Sequence, residues 1–223
     1  MSMKIHYLES VDIFRDLSIN DVEAINDQTT LMNYDQGHLF YMPDDPSETL
    51  FLLKKGRVQL YRISPEGRKF VVAILQAGSI FGQMALIGQR MQNTFAEALD
   101  DCVICVWGQA EVEQLILRKP QVALRILNSL SERLIQVEAR LEDATFKRIP
   151  ARIAGLLIEL ADEQKDGNVL RGYTHQYLAD IIGTYRETVT QTLNEFKQEK
   201  LVRIGRKTIE ILDVPRLQRV ADS

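Results

Sequence analysis

Hydrophobic positions along the chain change period twice. Between about residues 31 and 107 they come in short β-type runs: HLFYM, TLFLLKKG, RVQLYRI, KFVVAIL and DCVICVW. Turn formers separate them: Asp35-Gln36-Gly37, Pro43-Asp44-Asp45-Pro46, Lys55-Gly56, Pro65-Glu66-Gly67 and Gln76-Ala77-Gly78. Such runs, punctuated by Gly, Pro and Asp, predict a small sandwich or barrel. LKKGRVQLYRISPEGRKFVVAIL reads as two consecutive hairpins. The segment FGQMALIGQRMQNTFAEAL, Phe81 to Leu99, interrupts the series with a Gly turn, a short helix-like stretch and a loop. It reads equally as a connector or as a binding cassette, in which amides at a helix N-terminus meet an anion. Ahead of the strands, the first thirty residues predict one or two short helices, with Ser18 as a cap.

After Gln109 the period becomes helical. AEVEQLILRK predicts a short helix stopped by Pro120, and a long helix runs from Gln121 to about Lys147. Along it Ala123, Leu127, Leu130, Leu134, Val137, Leu141 and Ala144 alternate steps of four and three, a heptad seam that predicts a parallel dimer. Ile126 and Ile135 fall off the seam and are expected to pack on the barrel. Ile149-Pro150 marks a hinge, because the residue before proline avoids the helical region while proline suits a helix's first turn. ARIAGLLIELADEQ then leads a second domain, and Lys165 to Gly172 reads as a polar loop.

The stretch from Tyr173 to Leu212 predicts a winged helix-turn-helix. Thr174 caps a short helix whose apolar side is Tyr177, Leu178, Ile181 and Ile182, and Gly183 supplies the turn. A second helix, from about Tyr185 to Lys200, turns Val189, Leu193 and Phe196 inward and Arg186, Glu187, Thr190, Gln191 and Asn194 outward. Leu201–Ile204 and Thr208–Leu212, joined by Gly205-Arg206-Lys207, make a hairpin with a basic tip. A recognition helix must present forked donors and acceptors near its N-terminal end, where Arg186 and Glu187 stand. The tail DVPRLQRVADS receives no assignment.

Composition adjusts this picture in three places. The net charge of −4 looks wrong for a nucleic-acid partner. From Arg148 onward, however, there are 12 basic and 11 acidic side chains, so the deficit belongs to the other 15 basic and 20 acidic ones. Binding must then rest on local placement of Arg186, Arg203, Arg206 and Lys207 and on dimerisation. Cys102 and Cys105, three apart in a strand, point to opposite faces about 10 Å apart and cannot bridge. They read as small apolar fillers and are too few for a closed metal site. No run approaches a membrane span and no apolar leader opens the chain, so a cytoplasmic location and no membrane partner are expected. No phosphate-binding loop, nucleophile elbow, metalloprotease motif or carboxylate pair appears, so no enzyme, no catalytic residue, no metal and no identified cofactor are expected.

The order of β-roll, cassette, long heptad helix, hinge and winged helix-turn-helix resembles the cyclic-AMP receptor protein and fumarate-nitrate regulator (Crp/Fnr) family of bacterial transcription factors. The resemblance rests on Phe81-Gly82-Gln83, Asn93-Thr94 and, above all, Gly183-Thr184-Tyr185-Arg186-Glu187-Thr188-Val189. It implies an α+β fold in three parts: an N-terminal cyclic-nucleotide-binding-like β-roll over 1–119, a dimerisation helix over 120–147, and a C-terminal winged helix-turn-helix over 148–223. It further implies a homodimer on a two-fold symmetric operator of double-stranded DNA, with RNA polymerase as a further partner. The seam is Leu127, Leu130, Leu134, Val137 and Leu141. The resemblance implies that Arg186 reads guanine and Glu187 cytosine, whereas Gln191 stands where cyclic-AMP receptors carry a second Arg, shifting preference toward adenine in a variant of the TGTGA half-site. Thr174, Gln176, Thr188, Arg206 and Lys207 are expected on phosphates.

The effector pocket implied by the resemblance comprises Gly82, Gln83, Arg90, Asn93, Thr94 and Glu138. Cyclic-AMP binders have Glu at the place of Gln83 and Arg at that of Asn93, and Thr-Ser where this chain has Val137-Glu138. Losing the Arg removes the charge-assisted fork on the cyclic phosphate, so ordinary cyclic-AMP control is not expected and a different small-molecule effector stays open. The alternatives are a cyclic-nucleotide-responsive regulator with an altered cassette, and a ligand-binding regulatory subunit.

Overall fold

The computed structural model describes residues 30–43, 45, 49–82, 93–164 and 167–223. The predicted N-terminal helices and the cap at Ser18 lie outside the described residues, as do most of the cassette and part of the Pro43–Pro46 turn. The chain divides into two compact units, the first reaching to Leu134, the second made of Ile135–Ser223 together with Gly67–Val71.

The strands between Thr30 and Gly108 form a roll of two four-stranded sheets. Its strands are β1 (Thr30–Tyr34), β2 (Leu39–Tyr41), β3 (Thr49–Lys55), β4 (Val58–Ile63), β5 (Lys69–Leu75), β6 (Ile80–Gly82), β7 (Phe95–Ala98) and β8 (Cys102–Gly108). One sheet runs β1-β8-β3-β6 and the other β2-β7-β4-β5. The five predicted runs are β2, β3, β4, β5 and β8. The predicted interruption from Phe81 to Leu99 needs correction at both ends, which are the strands β6 and β7. FAEA pairs with β4 through Phe95↔Tyr61 and Ala96↔Leu60, and its two alanines enter the core.

Strand β3 explains its own unbroken apolar run. Phe51 and Leu53 join the core between the sheets, with Val58, Leu60, Phe81 and Ile104. Leu50 and Leu52 join a second core with Trp107, Val112, Val122 and Ile126. A strand covered on both faces needs apolar residues at every position. Cys102 sits in the first of these cores and Cys105 in the second, so the two buried thiols lie on opposite sides of β8.

Helix α1 (Gln109–Arg118) and helix α2 (Pro120–Phe146) follow. The 27 residues of α2 extend about 40 Å. Val122 and Ile126 are buried in the second core and Leu130 packs at its edge. Ile135 corrects the sequence reading: it is 64% exposed and joins neither core of the roll, where Ile126 is buried. On the seam itself Leu130 is half-buried, while Leu127, Leu134, Val137 and Leu141 are uncovered within the chain, between 46% and 66% exposed.

The second unit holds α3 (Ile149–Gln164), β9 (Val169–Arg171), α4 (His175–Ile182), α5 (Arg186–Gln198), β10 (Val202–Gly205), β11 (Thr208–Ile211) and α6 (Val214–Ala221). The break between α2 and α3 falls at Lys147-Arg148, with Pro150 in the first turn of α3. One prediction needs correction. The loop from Lys165 to Gly172 contains β9, which pairs with β11 through Leu170↔Ile209 and completes a three-stranded sheet. The unassigned tail forms α6, capped by Asp213 and anchored by Leu217 and Ala221 in the same core as Leu157, Leu178, Val189, Leu193 and Phe196. Replacing the fully buried Leu217 by Ala is expected to destabilise this unit by about 2–4 kcal/mol, measured by urea unfolding.

Candidate nucleic-acid interface

The geometry starts at Thr174. Its extended backbone precedes α4 and its hydroxyl accepts a hydrogen bond from the Tyr177 amide at 3.1 Å, satisfying one of the helix's open donors. Gly183 ends α4 at φ 76°, a left-handed conformation that glycine adopts without a Cβ penalty. Amides of Gly183 and Thr184 both return to the Ala179 carbonyl, and Tyr185 then opens α5. Helix α5 is two-sided. Val189 and Leu193 are fully buried and Phe196 nearly so. The opposite side is an open face carrying Arg186, Glu187, Thr190, Gln191, Asn194, Glu195 and Gln198. Those positions alternate steps of one and three, a continuous polar stripe along the helix.

Most predicted contact residues fall on this part of the molecule. Arg186, Glu187 and Gln191 are exposed, the first two in the opening turn of α5. Thr174 and Gln176 are exposed at the start of α4, and Thr188 is half-buried on α5. Arg206 and Lys207 form the two-residue tip between β10 and β11, with Lys207 at φ 56°. Arg203 differs: its guanidinium lies 2.7 Å from Glu210 across the hairpin, so its charge is locally balanced.

Two side-chain pairs were not read from the sequence. Gln191 donates through Nε2 to Glu195 Oε1 at 3.1 Å, one turn along the stripe. On α4, Gln176 Nε2 donates to the buried Asp180 at 2.8 Å. Both pairs are i, i+4 spacings that any helix offers. His175 also meets Thr190, as described below.

The predicted effector pocket is only partly placed. Gln83 and Arg90 lie outside the described residues. Gly82 has φ 118°, and a Cβ there would come 2.2 Å from the Thr49 carbonyl oxygen, so the backbone alone requires glycine. Asn93 has φ 60°, a left-handed conformation that Asn tolerates better than most residues. Thr94 is buried at 3% exposure in the first unit. Glu138 is exposed on α2, within the second unit.

With this geometry in place, comparison with known proteins is informative. Residues 31–119 match the cyclic nucleotide-binding domain family, and residues 151–220 match the Crp-like helix-turn-helix domain family. The chain is 25% identical over 219 residues to a CRP-like cAMP-activated global transcriptional regulator of Mycobacterium tuberculosis, covering 96% of this chain and 98% of that one. It is 30% identical over 183 residues to the transcriptional regulator SdrP of Thermus thermophilus, covering 80% and 86%. A solved structure of a Crp/Fnr-family protein from Eubacterium rectale shares the fold, with a TM-score of 0.80 at 24% identity, over 98% of this chain and all of that one. The Thr174 cap gives the site a stability test: Thr174→Ala should cost about 1 kcal/mol in the unfolding of the second unit, read from thermal melts.

Proposed function

This chain belongs to the Crp/Fnr family of transcription regulators, and on that premise we propose that it acts as a homodimer on a two-fold symmetric DNA operator. The polar stripe of α5 carries the reading: Arg186 and Glu187 occupy the first turn of a helix whose other side is fixed in a core. A helix held that way enters the major groove with its N-terminal end against the base edges. Arg186 offers two donors to guanine O6 and N7, and Glu187 accepts from cytosine N4. Gln191, steadied by Glu195, suits adenine, which makes the half-site a variant of TGTGA. Thr174, Gln176, Thr188, Arg206 and Lys207 set register on phosphates. RNA polymerase is the further partner and the cytoplasm the place of action.

The homodimer reading is supported by the α2 seam, where the single chain leaves Leu127, Leu134, Val137 and Leu141 exposed. Pairing Leu127, Leu130, Leu134, Val137 and Leu141 with their copies would cover it and space two recognition helices about one DNA turn, roughly 34 Å, apart. Leu134→Glu should convert the dimer to monomer in analytical ultracentrifugation and weaken operator binding about a hundredfold or more, since the second half-site is no longer tethered.

Control by ordinary cyclic AMP is not part of the proposal. Asn93 and Gly82 both have backbone reasons for their identity, and Asn93 brings no cation to a cyclic phosphate. A different small-molecule effector is consistent with the cyclic nucleotide-binding domain family of residues 31–119. The alternative is a cyclic-nucleotide-responsive regulator with an altered cassette. Selecting duplexes from a random pool with and without cyclic AMP separates the two, since a sharp requirement for the nucleotide would establish the alternative. On the selected duplex Arg186→Ala should cost about 1–3 kcal/mol and flatten discrimination at one base pair, while Lys207→Ala should weaken all sequences alike. Equal losses on selected and random DNA from both substitutions would count against the assignment.

A further inference from the structure

His175, the first residue of α4, makes a contact that sequence spacing does not show. Its Nδ1 lies 2.9 Å from Thr190 Oγ1 on the polar side of α5. The Thr190 hydroxyl has one proton, and it donates that proton to the Arg186 carbonyl at 2.9 Å. Thr190 Oγ1 therefore accepts from His175, and Nδ1 carries the hydrogen. The tautomer leaves Nε2, at the far edge of the ring, as an acceptor when the imidazole is neutral and a cationic donor when it is protonated. Among the described residues Nε2 has no hydrogen-bond partner. The residue is half-buried and lies in the chain between the exposed Thr174 and Gln176, the two residues proposed above to contact phosphate.

Resting on the DNA-binding reading above, the geometry points to His175 as a proton-dependent phosphate contact, anchored through Thr190 to the recognition helix. The surroundings favour a neutral ring in the free protein. Burial, and then the positive charge of Arg186 on α5, hold its pKa below the ordinary histidine value. From α3, Arg152 donates to the Ile182 carbonyl at the other end of α4. On α4 itself, the carboxylate of Asp180 is buried and accepts from Gln176. A phosphate placed against Nε2 reverses the balance, because it stabilises the imidazolium and screens the repulsion from Arg186. DNA binding then takes up a proton at His175.

The sign follows. The pKa is low in the free protein and higher in the complex, so affinity rises as pH falls through the complex value and levels off below the free value. Each proton taken up contributes at most about tenfold per pH unit. Over a window from about pH 8 to about pH 5.5, spanning the ordinary histidine range, operator affinity should rise by about tenfold or more. The salt dependence should steepen at the acid end, because one more phosphate per protomer is neutralised by a cation.

The test uses the full-length protein and the duplex selected from the random pool, with affinity measured by fluorescence anisotropy at both pH limits and several salt concentrations. Wild type should show the pH-dependent gain. His175→Arg, charged throughout, should bind tightly at both limits with little slope, and His175→Gln should bind weakly at both, also with little slope. Nitrogen-15 spectra of the His175 ring should report imidazolium in the complex at a pH where the free protein shows the neutral Nδ1–H form. Wild type and His175→Gln sharing one pH slope, while both bind the duplex, would overturn the assignment and leave the DNA-binding reading intact. Absence of duplex binding by wild type at either pH would remove both.

Discussion

A helix that keeps one whole side polar and out of the core is held by few residues. On α5 these are Val189, Thr192, Leu193 and Phe196, the buried positions of its 13 residues. Contacts at its two ends add to that thin attachment. Helix α4 and the Gly183 turn hold its start, with the Gly183 and Thr184 amides closing the turn on Ala179. At its end the Leu201 amide returns to the Phe196 carbonyl. There too Arg216 of α6 reaches the Glu199 carbonyl at 3.3 Å, a cation at a helix C-terminus where the dipole favours one. The tail helix is thus part of the device that aims α5, even though nothing in its sequence announces a function.

The parts of the fold legible in the sequence are those whose signal is local. The Thr174 cap, the Gly183 turn and the inward Val189, Leu193 and Phe196 each follow from spacing along one helix. The ends of α2 fall within one residue of those predicted, because Pro120 and the Ile149-Pro150 step mark them in the chain. Other elements were hidden for a physical reason. Strands β6, β7 and β9 have three or four residues each, and their existence is decided by partners far along the chain, such as Ala96 opposite Leu60 and Leu170 opposite Ile209. Helix α6 buries only Leu217 and Ala221 fully, so its pattern was too sparse to separate from a polar ending. Ile135 went wrong because periodicity shows which side of a helix is apolar, not what stands opposite it.

The candidate site divides along the same line. Arg186, Glu187 and Gln191 are close in sequence and share one helix face, so their joint exposure could be anticipated. The pairing of His175 with Thr190 could not, since it joins residues fifteen apart across the crossing of two helices. In the roll the contrast is sharper. Gly82 matches the family's ligand cassette and Asn93 departs from it, yet each stands at a positive φ that restricts residue choice by itself. A motif position can be fixed by the chain's own geometry before any ligand is considered.

Charge ties these observations together. The α5 stripe carries Arg186 but also Glu187 and Glu195, and Arg203 on the wing is balanced by Glu210. From Arg148 onward the chain has only one more basic than acidic side chain. Counterion release scales with the number of phosphates neutralised, so a surface of this kind holds random DNA weakly. Specific binding keeps the base-edge hydrogen bonds that random DNA lacks, and the ratio between the two, not the absolute affinity, decides how well an operator is found among competing sites. A nearly neutral domain of this kind trades grip for discrimination, and in the homodimer proposed above a second copy would recover the affinity.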